Sequence, residues 1–178
     1  MLLKVLQNPN KILRAVSLPV KKSELGTSEL KDLIRDMSET LAHEGDGVAL
    51  AAPQVGINKR IFIVSGKVFS IGKDDEIDLP DLEFINPEFI KISRDKKMMH
   101  EGCLSVRPLY GDIRRASRAT VRAQNSDGHH FEVSGTGLLA EIFQHEIDHL
   151  QGILFIDKAV NIKDGEKRDL TKKKNKLK

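Results

Sequence analysis

The chain has 178 residues, 39% of them hydrophobic and 31% charged, which suits one globular domain with a sizeable core and excludes a disordered or fibrous chain. The net charge of only +3 argues against a general nucleic-acid binder, so we expect no specific DNA binding. No apolar stretch approaches the roughly 20 residues of a membrane helix and no signal-peptide pattern opens the chain, so we expect a cytoplasmic protein with no membrane partner.

The first half of the chain predicts one helix and several short strands. Residues 28–43 carry apolar side chains at helical spacing, with Thr27 or Ser28 available as the N-cap. The segment 47–56 is apolar and rich in small residues, and Pro53 argues against a helix there. Three further features follow: a buried strand at 60–64, a surface loop at 65–82, and two strands at 83–87 and 88–92 that break at Pro87.

The second half predicts a hairpin and a buried helix. Segments 120–124 and 130–134 alternate in polarity around Asn125-Ser-Asp-Gly128, a sequence typical of hairpin turns. Residues 138–150 predict a helix that ends before Gly152. One face of it carries Leu138, Ile142, His145 and His149, and the polar arc carries Glu141, Gln144, Asp148 and Gln151. We therefore predict an α+β fold with a mostly antiparallel sheet packed around this buried helix.

The strongest chemical signal is His145-Glu-Ile-Asp-His149 on that helix. Two histidines four residues apart lie one turn apart and can both reach one metal ion. Glu146 is displaced to one side, where its carboxylate can reach a water molecule without binding the metal. Two core histidines are the alternative interpretation, although burying them beside a glutamate without partners would be costly.

The third metal ligand decides which class of enzyme fits. A thermolysin-like protease supplies a glutamate from a later helix, and a metzincin supplies a third histidine, which the residues after His149 lack. The single cysteine, Cys103, excludes an internal disulfide and is a core thiol, a nucleophile or a ligand. A set of one cysteine and two histidines leaves a fourth tetrahedral position for water, as a catalytic site requires.

Three segments together resemble the motifs of peptide deformylases, in the same order and at similar spacing. They are Gly47-Val-Ala-Leu-Ala-Ala-Pro-Gln54, Glu101-Gly-Cys-Leu-Ser105 and Gln144-His-Glu-Ile-Asp-His-Leu150. The resemblance covers residues 1–160 and implies that they form a deformylase catalytic domain. It further implies a metal-dependent hydrolase that removes the formyl group from the N-terminal formyl-methionine of nascent proteins and releases formate.

The resemblance also implies how the metal is held. Cys103, His145 and His149 would bind one divalent ion per chain, usually Fe(II), with zinc, nickel or cobalt also able to occupy such a site. Glu146 would act as the general acid and base. Because ligating imidazoles nearly always donate their second ring N–H to an acceptor, we expect Glu101 or another carboxylate beside one of the histidines.

The remaining implied roles concern the substrate. The side-chain amide of Gln54 and the backbone N–H of Leu104 would stabilise the charge that develops on the formyl oxygen. The residues expected to contact substrate are Val48, Ala49, Leu50, Glu101, Gly102, Tyr110, Leu138 and Ile142. The chain departs from the family pattern at Ala49, where a glycine is usual. It also has Arg107-Pro108 in place of the usual Pro-Gly, and Tyr110 where many members carry a substrate-binding arginine.

Two other functions remain open on the sequence alone. One is a different zinc hydrolase, such as an endopeptidase, and the other is a structural metal site in an RNA- or ribosome-binding module. We predict that residues 161–178 form a basic, mobile tail, since Lys172–Lys178 contains five lysines and a single apolar residue. The expected partners are N-formyl-methionine nascent peptides and, through the lysines of the tail, the ribosome.

Overall fold

The computed structural model describes residues 1–70 and 79–165, and these form two α-helices and eight β-strands. The helices are α1, Ser28–His43, and α2, Leu138–Leu150. The strands are β1 Ala49–Ala51, β2 Ile61–Val64, β3 Leu82–Ile92, β4 Lys96–Gly102, β5 Leu109–Ala116, β6 Arg118–Gln124, β7 His130–Thr136 and β8 Val160–Asp164. A short 3-10 turn, Ala52–Val55, follows β1 directly.

The strands form two separate sheets. The larger sheet has the order β1-β2-β3-β6-β7, and the smaller has the order β4-β5-β8. Every pair of neighbouring strands in the described part of the chain is antiparallel. The α+β class with mostly antiparallel sheet is therefore confirmed. Strand β1 is an edge of one sheet and β4 is an edge of the other.

The two helices cover opposite faces of the larger sheet. Strand β2 shows why, since its four side chains are fully buried and point alternately to the two faces. Ile61 and Ile63 pack in the core with α1, whereas Phe62 and Val64 pack in the core with α2.

Neither α1 nor α2, the two α-helices of the described residues, has the length and apolar character of a membrane-spanning helix.

Helix α1 has the predicted bounds. The hydroxyl oxygen of Thr27 accepts a hydrogen bond from the Leu30 N–H, so Thr27 is the N-cap. Leu30, Met37 and Leu41 form the buried stripe of the helix. They hold α1 against β1 and β2, so the turn after α1 brings the chain to the edge strand β1.

Helix α2 also has the predicted bounds, but its polar arc is narrower than the helical wheel indicates. Glu141 and Gln144 are both buried. Gln144 lies against β5, where its side-chain oxygen accepts a hydrogen bond from the Ala116 N–H at 2.9 Å and its amide donates to the Ala116 carbonyl at 3.0 Å. This two-way contact ties the helix to the smaller sheet while its apolar face packs on the larger one.

Pro53 and Pro87 were expected to interrupt regular structure, but both lie within regular elements of the fold. Pro53 lies in the first turn of Ala52–Val55, where the missing N–H of proline leaves no bond unmade, so a single helical turn does pass through it. Pro87 does not end a strand, because β3 continues through it with a shift of register between Ile85 and Glu88. The shift absorbs the residue that cannot donate to the ladder.

Strands β4, β5 and β8 were not predicted, and half of their residues are polar or charged. The predicted domain boundary at residue 160 falls at the first residue of β8, which pairs with β5 through Asp164. The regular part of the chain therefore continues past that boundary. Residues 71–78 of the predicted surface loop, and residues 166–178 of the predicted mobile tail, lie outside the described residues.

We expect Gln144→Leu to lower the free energy of unfolding by about 1–3 kcal/mol, because it leaves the buried backbone groups of Ala116 without their partner. Urea unfolding would measure the loss. The matched control is Gln151→Leu, at an exposed position just after the same helix, which should change stability by less than about 0.5 kcal/mol. Equal stability of both variants would contradict the structural role of Gln144.

Candidate metal and catalytic centre

A cavity of about 130 Å³ lies between the edges of the two sheets, above α2. One wall follows the connection from α1 through β1, and the opposite wall follows β4 and the loop into β5. The residues that line it are Asp46, Gly47, Val48, Ala49, Gln54, His100, Gly102, Cys103, Leu104, Arg107, Tyr110, Leu138, Glu141, Ile142, His145 and Glu146. The three sequence motifs therefore supply the two walls and the floor of one cavity.

Cys103, His145 and His149 bring three potential ligand atoms together at the bottom of this cavity. The sulfur of Cys103 and one ring nitrogen from each histidine all lie within 4.8 Å of one another. The Cys103 sulfur is 3.2 Å from Nε2 of His149. One thiolate and two imidazoles are a donor set for a divalent transition metal, so the residues present fit such an ion.

Glu101 fixes the orientation of His145. Its Oε2 lies 2.9 Å from Nδ1 of that ring, which leaves Nε2 for a metal ion. Arg115 holds the same carboxylate with two hydrogen bonds, at 2.7 and 3.0 Å. Burial by itself would raise the pKa of Glu101, but the hydrogen bonds from His145 and Arg115 lower it to about 2. Glu101 is thus a permanently charged acceptor.

The ion pair continues outward from Arg115. Its Nη1 donates to Asp148 at 2.6 Å, and Lys158 donates to the same carboxylate at 2.8 and 3.0 Å. Glu101 and Arg115 are both buried, whereas Lys158 is 45% exposed. The charges therefore alternate from His145 to the surface in the order Glu101, Arg115, Asp148 and Lys158. The two negative and two positive charges cancel, so no net charge is left buried.

Glu146 lies on the cavity wall, and its side chain is 4% exposed. Burial raises the pKa of Glu146 to about 7. Its Oε2 is a buried acceptor without a hydrogen-bond partner among the described residues. A carboxylate with a pKa near neutrality is suited to accept a proton and return it at physiological pH.

Gln54 reaches the same centre from the turn after β1. Its Oε1 accepts a hydrogen bond from the Ala51 N–H at 2.8 Å, which fixes the amide so that Nε2 points to the other wall. Nε2 lies 3.1 Å from Oγ of Ser105 and 3.6 Å from the Cys103 sulfur. The Gln54 side chain is therefore buried and held, and it is not the surface residue that a loop position would suggest.

Leu104 follows Cys103 on the wall of the cavity, and its side chain is 8% exposed. Its carbonyl accepts a hydrogen bond from the side-chain amide of Gln7 at 2.8 Å. The N-terminal segment thus fastens the backbone just after the cysteine, since the Asn8 N–H also donates to the Ser105 carbonyl at 2.9 Å.

Six of the eight residues expected to contact substrate line the cavity. They are Val48, Ala49, Gly102, Tyr110, Leu138 and Ile142. Leu50 does not, because its side chain is fully buried in the core with α1, so only its backbone is available to a substrate. Glu101 also lies outside the lining, because its carboxylate is used by His145 and Arg115.

The sequence predicted no role for Arg115 or His100, and Arg107 stood out only as a departure from the family pattern. The alternation of β5 could have identified Arg115 as buried, since it lies on the same face of the strand as Gly111 and Ile113, which are also buried. A charged residue in such an inward position needs a partner of opposite charge. Nothing in the local sequence marked Arg107 or His100 as lining residues.

Comparison with known proteins gives a consistent result. The family model described as polypeptide deformylase matches residues 2–165. A peptide deformylase of Halothermothrix orenii is 44% identical over 151 residues, covering 85% of this chain and 89% of the relative. One from Syntrophomonas wolfei is 42% identical over 156 residues, covering 88% and 92%.

Solved structures of peptide deformylases are similar to this fold. The actinonin-bound class I type b peptide deformylase from Acinetobacter baumannii superimposes with a TM-score of 0.79 at 33% identity, covering 90% of this chain and 99% of that one. The peptide deformylase from Thermotoga maritima gives 0.78 at 36% identity, with the same coverage.

We expect Glu101→Gln to weaken Zn²⁺ binding roughly 10–100-fold, because the uncharged amide is a poorer acceptor for the His145 N–H. Competition with a chromophoric chelator would measure the dissociation constant. Glu132→Gln is the matched control, since Glu132 pairs with Arg122 at 2.8 Å but is 48% exposed on the other sheet. Equal Zn²⁺ affinity of the Glu101 variant and the control would show that Glu101 does not support the ligand.

Proposed function

Because this chain belongs to the polypeptide deformylase family and removes the N-formyl group from nascent peptides, we propose how its own residues carry out that reaction. The single observation that carries the proposal is the meeting of Cys103, His145 and His149 within 4.8 Å, beside the buried Glu146. Peptide deformylases are metal-dependent, and these three residues are the ones we assign as ligands.

We assign Fe(II) as the ion in the cell, with zinc, nickel and cobalt as competent substitutes, since the thiolate and imidazole donors accept each of these metals. When bound, such an ion supplies Lewis acidity, lowering the pKa of a water molecule and polarising the formyl oxygen. Glu101 keeps His145 in the tautomer that such binding needs. Counting the metal in anaerobically purified protein tests the assignment.

Glu146 is the proton carrier in this proposal. Its carboxylate accepts a proton from the water that attacks the formyl carbon. The same proton then passes to the amine nitrogen as the carbon–nitrogen bond breaks, so the products are formate and a free N-terminal amine. The raised pKa of Glu146, about 7, supports both halves of this transfer.

Gln54 and Leu104 stabilise the negative charge that develops on the formyl oxygen. The Ala51 N–H holds the amide of Gln54 with its Nε2 toward the Cys103 sulfur, so no reorganisation is needed during the reaction. The backbone N–H of Leu104 is the second donor, in a segment that Gln7 fastens through the Leu104 carbonyl.

The peptide substrate lies along the free edge of β1. Gln54 is at the metal end of this wall and Asp46 is at its other end, so a peptide with its formyl group at the metal runs toward Asp46. The methionine side chain enters the apolar part of the cavity between Leu138 and Ile142. Nascent chains with formyl groups arise in the cytoplasm, where we place the protein.

We predict that Glu146→Gln retains the metal and loses formate release. Glutamine has nearly the same shape but cannot accept the proton of the attacking water, so the rate should fall by at least the 10²–10⁴-fold that a general base typically contributes, as a rough guide. The assay follows formate release from an N-formyl-methionyl peptide by protein purified anaerobically.

Cys103→Ala is the companion variant, and it should lose both the metal and the activity. A Glu146→Gln protein that turns over at the wild-type rate would remove Glu146 from the mechanism. A Cys103→Ala protein that keeps its metal and activity would show that the ligands lie elsewhere.

The lysines of Lys172–Lys178 support a second part of the proposal, that the tail contacts the ribosome. Gly165, the last described residue before the tail, lines a groove together with Asp46, which is at the end of the active-site wall away from Gln54. Ribosomal RNA is a dense polyanion, and binding by lysines falls steeply with salt as counterions are released.

Replacing the five lysines of 172–178 by glutamine should weaken co-sedimentation with ribosomes at low salt and leave hydrolysis of a short formyl-methionyl peptide unchanged. The substitution keeps the length of the tail, so it tests charge alone. The control exchanges Lys96 and Lys97, two exposed lysines of β4, for glutamine. Unaltered co-sedimentation of the tail variant would leave the tail without a ribosomal role.

A further inference from the structure

An arginine crosses the outer end of the active-site cavity. Nη1 of Arg107 lies 2.7 Å from a carboxylate oxygen of Glu44, and Nη2 lies 2.6 Å from one of Asp46. All three side chains are partly exposed, at 41%, 21% and 30%. We call this group the Arg107 clamp.

The clamp joins the two walls of the cavity. Glu44 and Asp46 belong to the turn between α1 and β1, which leads into one wall. Arg107 lies four residues after Cys103, on the opposite wall. Because β1 and β4 are edges of different sheets, the β-ladders do not set the distance between these walls.

Two side-chain links therefore hold the cavity at its two ends. At the metal end, Gln54 reaches Ser105 and Cys103 across the cavity. At the outer end, the Arg107 clamp does the same. Between them Gly47 of one wall lies close to Leu104 of the other, since a Cβ added at Gly47 would lie 3.2 Å from the Leu104 side chain. A peptide that enters must fit a width fixed at both ends.

A second groove begins where the first cavity ends. It has a volume of about 490 Å³, and its lining is His43, Glu44, Asp46, Arg107, Pro108, Tyr110 and Gly165. It shares Asp46, Arg107 and Tyr110 with the catalytic cavity. The Arg107 clamp thus stands at the boundary, where the part of a peptide beyond its first residues would leave the catalytic cavity.

We propose that Arg107 is a positioning residue, which sets the width of the peptide channel by clamping Glu44 and Asp46 of the opposite wall. The inference rests on the proposed function, since it takes the peptide to run along β1 toward Asp46. The clamp acts on peptide binding and leaves the metal ligands, Glu146 and Gln54 in place, because it is at the other end of the cavity.

The expected signature is a change in KM without a change in kcat. Arg107→Met should raise KM for an N-formyl-methionyl tetrapeptide about 3- to 30-fold, the range that two partly exposed ion pairs can supply. The kcat should change less than about twofold, since the reacting groups stay in place. Formyl-methionine amide is too short to reach the clamp, and its KM should not change.

Two further variants sharpen the test. Arg107→Lys retains one charge but lacks the fork that spans two carboxylates, so its KM should fall between those of the wild type and Arg107→Met. Arg122→Met is the matched control, because Arg122 is 45% exposed and pairs with Glu132 and Glu88 on the other sheet. It should have wild-type constants for both substrates. Thermal unfolding of each variant checks that all are folded.

The dependence of KM on salt concentration gives an independent test of the Arg107 clamp. Raising the ionic strength screens partly exposed ion pairs, so the wild-type KM for the tetrapeptide should rise toward that of Arg107→Met, whose KM should respond less. An unchanged KM in Arg107→Met would overturn the clamp, and so would an equal rise for the short amide or an equal effect of Arg122→Met. If instead the wild-type protein with metal releases no formate from either substrate, the proposed function fails, and the clamp fails with it.

Discussion

The catalytic centre depends on one buried carboxylate, that of Glu101. It is only 2% exposed, and a buried charge without a counter-charge would cost several kcal/mol. Arg115 supplies that counter-charge with two hydrogen bonds, and His145 donates to the same carboxylate. These contacts compensate the buried charge of Glu101 and also fix the tautomer of His145, a proposed metal ligand. Helix α2 carries His145, Glu146 and His149, so the helix geometry sets the positions of their backbones relative to one another.

The second constraint is that the site lies between two sheets that share no ladder. Free strand edges are usually a liability, since their unpaired backbone groups can pair with other chains. Here the edge strand β1 forms a wall of the cavity, and in the proposed function the peptide substrate pairs with its unpaired groups. In the proposed arrangement, side chains rather than β-ladders join the two walls, Gln54 at one end and Arg107 at the other. This explains why residues outside the three motifs shape the site.

The fold shows the surroundings of the three departures from the family pattern, which are Ala49, Arg107-Pro108 and Tyr110. Ala49 is 7% exposed and packs in the core cluster that includes residues of α2, and it also lines the cavity. Tyr110 lies over Gly102 and stacks with His100 at 6.0 Å between ring centroids. The arginine of this region is Arg107, and its guanidinium is engaged by two carboxylates. None of these three positions is among the cysteine and histidines that could hold a metal ion.

The sequence by itself determined the elements whose physical cause is local. Periodicity, the cap at Thr27 and the glycine after α2 gave both helices their bounds, and the i,i+4 histidines with the single cysteine indicated the three residues that the fold brings together as a possible metal site. The tertiary structure decided what depends on residues far apart in the chain. Half of the residues in strands β4, β5 and β8 are polar, and the three strands pair with one another in the smaller sheet. Arg115 and Arg107 acquire their roles from carboxylates 14 to 63 positions away, in other elements. No local pattern encodes such contacts, because the charge that balances a buried or bridging group is brought to it only when the chain has folded.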